Sequence, residues 1–423
     1  MIPVLTFFLL SPSPDILDLD IDKAVDYALI NNPEIKQLEI ELEKADLRTD
    51  ESISNFYPSI SASGYYAYIT DVPVIDFGGV PLSMGQHENY DVSLSLHQVI
   101  FAWGKIYDAY RLSNIGRDIA KLSFERKQQE IRYSVTESFY GLLVLKEMAN
   151  LVRESYGQLQ RHEEAVRKRY EAGLVPQFEL LRSQVQVANL KPRVIEAENG
   201  LKLAKNGFQM LLGMDLNREF EVTGELGLTE EEFVLEQLVE EGLKNRIELR
   251  NLRNVEKMSE IGRSIIRRTN LPVVVAGAVY DYKKPSGFTD NEWGSNITFN
   301  IGFSMPIFSG FKTLSQYKQA SLDIVKAKLA REQLENGIVL DVKNSFYNFQ
   351  TAKEAITAAQ ENLVQAEKAL EIIDTRYKNG LATNLEYLDA QLAHMQAKTN
   401  HLNALKDFYT ARASIYRAIG KEQ

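Results

Sequence analysis

Apolar residues along most of this chain recur every three or four positions, the pattern of a helix with one buried stripe. Steps of this kind that continue over many residues are typical of a coiled coil. We therefore predict long helices over about 103–172 and 310–379, each about 100 Å long at roughly 1.5 Å per residue. The first stripe comprises Val135, Phe139, Leu142, Leu145, Ala149, Val152, Tyr156 and Leu159, and the second Val342, Phe346, Phe349, Ala352, Ile356, Ala359, Leu363 and Ala366.

Two regions follow a period of two instead, which predicts β-strands. Ile297, Phe299, Ile301, Phe303 and Met305 alternate with polar or small residues, and the region around Val92, Leu94 and Leu96 does the same. Their expected partners are rich in Tyr and Val and lie before turn-forming residues. The pattern predicts one β-hairpin at about 59–100 and another at about 272–307, with four strands in all.

The chain is a tandem duplication. The segment that begins at Arg169 and reads Arg-Tyr-x-x-Gly-Leu returns 207 positions later at Arg376, whereas Glu34 matches Glu248 at an offset of 214. A period this long indicates two copies of one supersecondary unit rather than a solenoid. We predict a first repeat at 15–212 and a second at 241–420, joined by an inter-repeat segment at 213–240.

Each repeat is predicted to contain, in order, a short helix, the β-hairpin, the long helix and a return helix. The return helices are expected at about 177–212 and 384–419. Pro192 lies inside the first of them and predicts a kink or a break in that copy only. Residues 1–14 resemble the apolar core of a secretory signal without its basic start, so they are either a signal remnant or a tail.

Composition limits the classes of function. The 423 residues carry a formal charge of −10, which argues against broad nucleic-acid binding, and no cysteine, which excludes disulfides and thiol chemistry. We find no phosphate-binding loop, nucleophile motif or cofactor fingerprint, and expect neither catalysis nor a cofactor. The five histidines lack metal-ligand spacing, and we expect His394 and His401 to be solvated.

With these motifs in place, the chain resembles the TolC-like outer membrane efflux protein family. The resemblance rests on the duplicated Arg-Tyr-x-x-Gly-Leu motifs, on Asn-Asn-Pro-Glu at 31–34 and on Pro-Ile-Phe-Ser-Gly-Phe-Lys at 306–312. It covers about Leu17 to Gly420 and implies a mainly α fold with a β-barrel part. Three chains would form a 12-stranded barrel in the outer membrane of a Gram-negative-type bacterium, continued by a periplasmic α-helical barrel.

The resemblance also implies partners. A homotrimer of this kind is the exit duct of a tripartite efflux or type I secretion system, in contact with outer membrane lipid and with a periplasmic adaptor (membrane fusion) protein. An inner-membrane pump or ABC exporter supplies the energy, and the duct itself catalyses nothing. The sequence names neither the cargo nor the adaptor.

Two Gly-centred breaks between helices are candidate adaptor-docking tips. By the resemblance, they lie at the far end of the helical cylinder. Glycine permits a tight turn, and an adjacent leucine offers an apolar contact. The alternative is that both are simple helical-hairpin turns. The docking candidates are Gly173, Leu174, Val175, Gly380, Leu381, Ala382 and Thr383.

Glu386 and Asp389 are candidates for a periplasmic gate. They are three residues apart and therefore share a helix face. By the resemblance, they face the pore, where three chains would converge six carboxylates, favour cations and raise some of the carboxyl pKa values. The alternative is an ordinary helix N-terminus, which favours acids through its dipole.

Tyr377 and Glu179 match family positions whose hydrogen bonds hold the tip closed. Ala382 departs from the best-known pattern, which has a basic residue there, so the latch is expected to differ. Arg376 or Arg182 could substitute for that basic residue.

Aromatic residues cluster where strands meet long helices, namely Phe101, Trp103, Phe308 and Phe311. They resemble a membrane-interface girdle, and the alternative is a hydrophobic plug over a helix bundle.

Two rival functions use similar helices. A soluble periplasmic coiled-coil adaptor would lack duplicated strands of this kind, and a structural rod would have no reason to interrupt its helices with them.

Overall fold

The computed structural model describes residues 17–224, 226–227, 231–287 and 291–421. In these ranges the chain is mainly helical with a β part, which confirms that level of the predicted fold class. The predicted signal remnant or tail at 1–14 lies outside the described residues. The helices are α1 Ile21–Asn31, α2 Pro33–Ser54, α3 Lys105–Glu171, α4 Gln177–Leu212, α5 Leu235–Asn245, α6 Ile247–Arg267, α7 Lys312–Lys378 and α8 Asn384–Ile419. The strands are β1 Leu17–Leu19, β2 Ser59–Tyr68, β3 Val74–Phe77, β4 Val80–Ser83, β5 Glu88–Phe101, β6 Phe220–Val222, β7 Val273–Lys284 and β8 Gly294–Ser304.

The structure contains elements that the periodicity did not predict. The short leading helix of each repeat is two helices, α1 with α2 and α5 with α6. Asn32 ends α1 because it precedes a proline and takes an extended conformation. Strand β1 pairs in parallel with β6, and β3 pairs with β4 in the connection between β2 and β5. Helix α4 continues through Pro192, so the predicted break is wrong, and the kink stays a prediction.

The chain divides into two compact units that each take residues from both repeats. One comprises 1–40, 122–250 and 332–423, and the other 41–121 and 251–331. The first unit is helical apart from β1 and β6, and the second holds the remaining strands. The repeat boundaries themselves stay an interpretation of the sequence.

In the first unit, four helices lie in the order α4, α3, α8, α7. Phe139 of α3 packs against Phe208 of α4, with ring centroids 6.4 Å apart. On its other side, α3 contacts α8 through the stacked rings of Tyr140 and Tyr409, 3.8 Å apart. Phe349 of α7 lies 5.4 Å from Phe408 of α8. Most residues of the two predicted stripes are buried or half-buried, whereas Leu145 is exposed.

In the second unit, an antiparallel sheet has the strand order β2, β5, β7, β8. The two predicted hairpins are therefore joined side by side through β5 and β7, the inner strand of each repeat. A bulge between Val99 and Phe101 shifts the register at the end of β5. Both the helix row and the sheet thus begin with an element of the first repeat and end with one of the second.

Candidate functional site: channel wall and helical tips

The two faces of the β2-β5-β7-β8 sheet differ in polarity. The register places aliphatic and aromatic residues opposite each other on one face, for example Ile60, Leu96 and Phe299. Ile301 and Phe303 on this face are 75% and 77% exposed in the single chain. The opposite face carries Ser59, Ser61, Ser63, Ser93, Ser95, His97, Asn296, Thr298 and Asn300. An apolar face this exposed requires an apolar environment or a partner.

The four predicted interface aromatics lie where strands give way to long helices. Phe101 contacts Trp103 with ring centroids 5.0 Å apart, and Phe308 contacts Phe311 at 5.6 Å. All four rings are exposed in the single chain. This exposure favours the interface reading over a buried plug.

These aromatics sit on a duplicated backbone conformation. Trp103 and Gly104 have φ of 56° and 76°, and their counterparts Gly310 and Phe311 have φ of 61° and 63°. Each repeat thus has two successive left-handed residues, one aromatic and one Gly, in opposite order. A bulky side chain at positive φ costs about 1–2 kcal/mol. In the first repeat the turn is held by Trp103 Nε1, which donates to the carbonyl of Pro272 at 2.8 Å.

A second aromatic belt at the loop end of the sheet was missed by the sequence reasoning. Tyr66 pairs with Tyr90 across strands, and Trp293 stacks on Tyr282 with ring centroids 4.9 Å apart. The three tyrosines lie on the apolar face. Along β7, Tyr282 is eight residues from the position that pairs with Phe101, or about 26 Å at roughly 3.3 Å per residue. The four interface aromatics and these tyrosines therefore form two aromatic belts, one at each end of an apolar band. The height of this band is about that of the apolar band of transmembrane barrels. The signal in the sequence was the tyrosine-rich composition of β2 and β7.

Both predicted tips are left-handed glycine turns. Gly173 and Gly380 have φ of 73° and 74°. The next backbone amides, of Leu174 and Leu381, each donate at 2.8 Å to the carbonyl five residues earlier, which completes a Schellman motif. The leucine side chains are 71% and 68% exposed.

The turn motif alone does not account for these exposed leucines. The same motif ends α4 at Gly213, where the following residue, Met214, is buried. Val175 and Ala382 are half-buried beside the tips, and Thr383 is exposed. The contrast favours a contact surface at the tips over plain turns.

Glu386 and Asp389 are both exposed on the first turns of α8. Glu386 belongs to a capping box, in which its Oε2 accepts from the backbone amide of Thr383 at 2.6 Å and its own amide donates to Thr383 Oγ1 at 3.2 Å. The bond from the Thr383 amide, followed by a bond from Thr383 Oγ1 to the same carboxylate oxygen at 2.9 Å, holds the pKa of Glu386 below its ordinary value of 4.5. In one chain, the direction of this pKa shift is therefore opposite to that expected for converging carboxylates, and Glu386 is part of the cap of α8.

The two predicted latch residues do not bond to each other through their side chains. Tyr377 is buried, and the Arg169 guanidinium lies over its ring, 5.5 Å from the centroid. Burial raises the pKa of Tyr377, and the charge of Arg169 opposes that shift. Glu179 takes part through its backbone carbonyl, which accepts from Asn384 Nδ2 at 3.3 Å. The two residues therefore belong to the same cluster, and their role in holding the tip closed stays a prediction.

That cluster centres on a histidine that sequence reasoning did not single out. His162 of α3 is buried, and its Nε2 lies 2.7 Å from Asn384 Oδ1. Since the Asn384 amide nitrogen donates to Glu179, its oxygen accepts, and His162 Nε2 carries the proton. The His162 ring stacks on Tyr387 at 4.2 Å and lies 5.0 Å from Tyr377.

Burial favours the neutral form of His162. Burial lowers its pKa below 6.5, and the bond to Asn384 and the charge of Asp374 oppose this shift, while Arg169 adds to it. The cluster thus joins α3, α4, α7 and α8 just above the tips. The signal was present in the first stripe, because a step of three from Leu159 reaches His162.

Two of the other histidines, His394 and His401, also differ from expectation. His394 is half-buried, with its Nε2 3.9 Å from Glu367, and His401 is half-buried with its Nδ1 enclosed. The prediction that both are solvated is wrong, because α8 packs within the helix row. Across the described ranges, no three His, Cys, Asp or Glu side chains are grouped so that they could hold a metal ion. Among the described helices, none is both long and apolar enough to cross a membrane.

Comparisons with known proteins agree on one group. A family model described as outer membrane efflux protein matches residues 24–214 and 238–421. Outer membrane protein TolC of Escherichia coli is 22% identical over 409 residues, which cover 93% of this chain and 80% of that protein. Alkaline protease secretion protein AprF of Pseudomonas aeruginosa is 24% identical over 343 residues, 78% of this chain and 69% of that protein. The Campylobacter jejuni CmeC outer membrane channel has the same fold, with a TM-score of 0.79 at 18% identity over 95% of this chain and 85% of that one.

Proposed function

The chain belongs to the outer membrane efflux protein family, and we propose that three copies of it form the passive exit duct of a tripartite efflux or type I secretion system. Family membership gives the coarser statement: this is an outer-membrane channel protein that extends into the periplasm and serves efflux or secretion. The number of copies, the barrel, the gate and the partners belong to the proposal.

The observation that supports a closed ring of copies is the pair of open edges in each unit. The sheet ends in β2 on one side and β8 on the other, and the helix row ends in α4 and α7. In both cases one edge element, β2 or α4, belongs to the first repeat, and the other, β8 or α7, belongs to the second repeat. A head-to-tail interface between copies would pair unlike edges and close a ring, since such interfaces generate rings when the rotation closes.

The open face of α4 is apolar enough to require a partner. Leu181 and Ile195 are 51% and 52% exposed, whereas their counterparts in the second repeat, Leu388 and Leu402, are buried. The second-repeat residues are covered within the chain because α8 lies between α3 and α7. The remaining large apolar residues exposed on α4 are Phe178, Val185, Leu203 and Met210.

Four strands from each of three copies would give a 12-stranded barrel. The polarity of the two sheet faces supports this arrangement, with lipid against the apolar face and water against the serine, asparagine and threonine side chains. The two aromatic belts suit the two membrane interfaces. A coiled-coil adaptor or a structural rod, the alternative functions, would have no use for this two-faced sheet.

The tips are the proposed contact with the periplasmic adaptor, and their exposed leucines are the proposed contact residues. Glu386 and Asp389 of the three copies form the proposed gate, with Tyr377 and the Glu179 backbone as part of the cluster that holds it. Opening follows when adaptor contact spreads the tips, and the inner-membrane pump or ABC exporter supplies the energy.

The test is the mass and conductance of the purified protein. We expect a particle of about three times 48.1 kDa in detergent that inserts into planar bilayers and passes ions. A detergent-independent monomer without conductance would instead support the soluble adaptor.

A further inference from the structure

The strand ends that connect to helices all lie at one edge of the sheet in the second unit. Ser59, at the start of β2, pairs with His97 near the end of β5. Val273, at the start of β7, pairs with Ser304 at the end of β8. The end of α2, the start of α3, the end of α6 and the start of α7 therefore lie next to this edge.

Positive charge is concentrated at this edge. The last or first seven residues of these helices and their connections to the strands form the ranges 48–58, 102–111, 261–272 and 305–318. These ranges contain eight Lys and Arg against three Asp and Glu, a net charge of +5 in a chain whose total is −10. We call the eight Lys and Arg of these ranges the basic collar.

The opposite edge of the sheet is acidic instead. Its two connections, 69–87 and 285–293, contain four Asp and Glu and neither Lys nor Arg. The two tryptophans of the chain are divided between the edges, because Trp103 precedes α3 at the collar and Trp293 precedes β8 at the opposite edge. The chain therefore has one fluorescent reporter at each edge.

Helix capping does not explain the whole collar. Lys105 and Lys312 are the first residues of α3 and α7, at equivalent positions of the two repeats. A helix dipole favours acids at such a position and disfavours cations. Arg267, by contrast, follows the usual preference, since it lies in the last turn of α6. The two lysines therefore need another source of stabilisation.

One cation of the collar has a structural role. Arg268 forms an ion pair with Asp108 of α3 and donates to the carbonyl of Trp103. Asp108 also lies 3.4 Å from Nη1 of Arg111. These contacts neutralise the one acid at the start of α3 and connect that start to the end of α6.

Three other cations of the collar face solvent. Arg267, Lys312 and Lys318 are exposed, and none of them forms an ion pair with a carboxylate in the described part of the chain. Lys312 directly follows Phe311, whose ring is also exposed. An aromatic ring beside a long cationic side chain suits the level of lipid headgroups, where the ring meets apolar chains and the cation meets phosphate.

We propose that the basic collar binds the phosphate groups of anionic phospholipids in the periplasmic leaflet of the outer membrane. This inference rests on the proposed function, which places the apolar face of the sheet in lipid. Each Lys or Arg close to a membrane surface favours an anionic headgroup by about fivefold in binding constant. The acidic edge repels such headgroups, so the preference belongs to one side of the sheet.

The fluorescence of Trp103 can report the lipid beside the collar. The variant Trp293→Phe leaves Trp103 as the only tryptophan. The purified protein is reconstituted into vesicles of brominated phosphatidylglycerol, brominated phosphatidylcholine or mixtures of each with its unbrominated counterpart lipid. Bromine quenches tryptophan on contact, so the mixtures give the binding constant of the anionic lipid relative to the neutral one.

We expect Trp103 to favour the anionic lipid about fivefold. The preference should fall at about 1 M KCl, where the Debye length is only about 3 Å. Addition of Arg267→Gln, Lys312→Gln and Lys318→Gln should remove most of the preference at low salt, because these changes neutralise the exposed cations and keep polar side chains.

The matched control neutralises three exposed lysines farther along α7, with Lys343→Gln, Lys353→Gln and Lys368→Gln. It changes the net charge by the same amount, but it begins about 46 Å from the start of α7 at roughly 1.5 Å per residue. This control should keep the full preference. The converse reporter, Trp103→Phe, leaves Trp293 at the acidic edge and should show no preference for the anionic lipid.

Three results would overturn the inference. These are equal quenching of Trp103 by the two brominated lipids, a preference that the collar variant keeps or the control loses, and an equal preference at Trp293. Failure of the proposed function gives a different result, because a protein that does not enter the vesicles would be quenched by neither lipid.

Discussion

Replacing Glu386 with glutamine distinguishes the two roles considered for this residue, a charge in the gate and a cap of α8. The glutamine oxygen can accept from the Thr383 amide as the carboxylate does now, and capping boxes use Glu or Gln at this position. The start of α8 should therefore persist while the charge is lost. The ionised form is the relevant one near neutral pH, because the cap holds the pKa of Glu386 below 4.5.

The size of the effect follows from counting charges. In a ring of three copies, Glu386 and Asp389 contribute equal numbers of carboxylates, so Glu386→Gln removes half of them and the double variant with Asp389→Asn removes all. We expect the cation preference, measured as the reversal potential in a KCl gradient across a planar bilayer, to fall by about half and then almost completely, if the two positions act equally.

The matched control is Thr383→Ala, which removes the capping hydroxyl and keeps every charge. This variant should lower the free energy of unfolding by about 1 kcal/mol for each α8 that loses its cap, and it should leave the cation preference unchanged. If Glu386→Gln and the double variant leave the reversal potential where it was, the carboxylates are not in the conducting path, and Glu386 is only a helix cap.

Three further outcomes follow from the tips and the helix ends. Gly213→Ala should lower the unfolding temperature more than Gly173→Ala. Both sites have φ near 70°, but a Cβ at position 213 would lie 2.4 Å from the Asn31 carbonyl oxygen, whereas a Cβ at position 173 would have nothing within 4 Å. Leu174→Glu or Leu381→Glu should weaken export in the native host without changing the trimer mass, and loss of the trimer would make these leucines structural. Burial lowers the pKa of His162 below 6.5, so His162 binds a proton more tightly when the cluster is open than when it is closed. The closed cluster should therefore lose stability as the pH falls below about 6.5. His162→Phe should remove this dependence from hydrogen exchange at the start of α8, and an unchanged pH profile would contradict it.

Sequence periodicity located the long helices and the two hairpins because both patterns run for many residues. The predicted return helices have the same bounds as α4 and α8, since a left-handed glycine ends each one at the last apolar position. The faces of the sheet were also readable, because alternation assigns each residue to one side.

Short and distant pairings were not predictable in this way. β1 and β6 have three residues each, too few for a period, and pair across about 200 positions of sequence. The cluster around His162 needed knowledge of which helix follows which in the row, because its members come from α3, α4, α7 and α8. A polar residue on an apolar stripe was the available sign, and Asn384 could be found as its partner only in three dimensions.

The doubled architecture has a consequence for how this protein can change by mutation. In the proposed ring of three copies there are six repeats, and six separate chains of one repeat each would make six chemically identical junctions between repeats. Two repeats in one polypeptide instead give two different junctions, one within the chain and one between chains, so a mutation can change one without changing the other. His162 and Ala369, which are 207 positions apart, show that the two repeats differ at equivalent positions. A symmetric hexamer of identical repeats could not carry such a difference, because each mutation would change all six junctions alike.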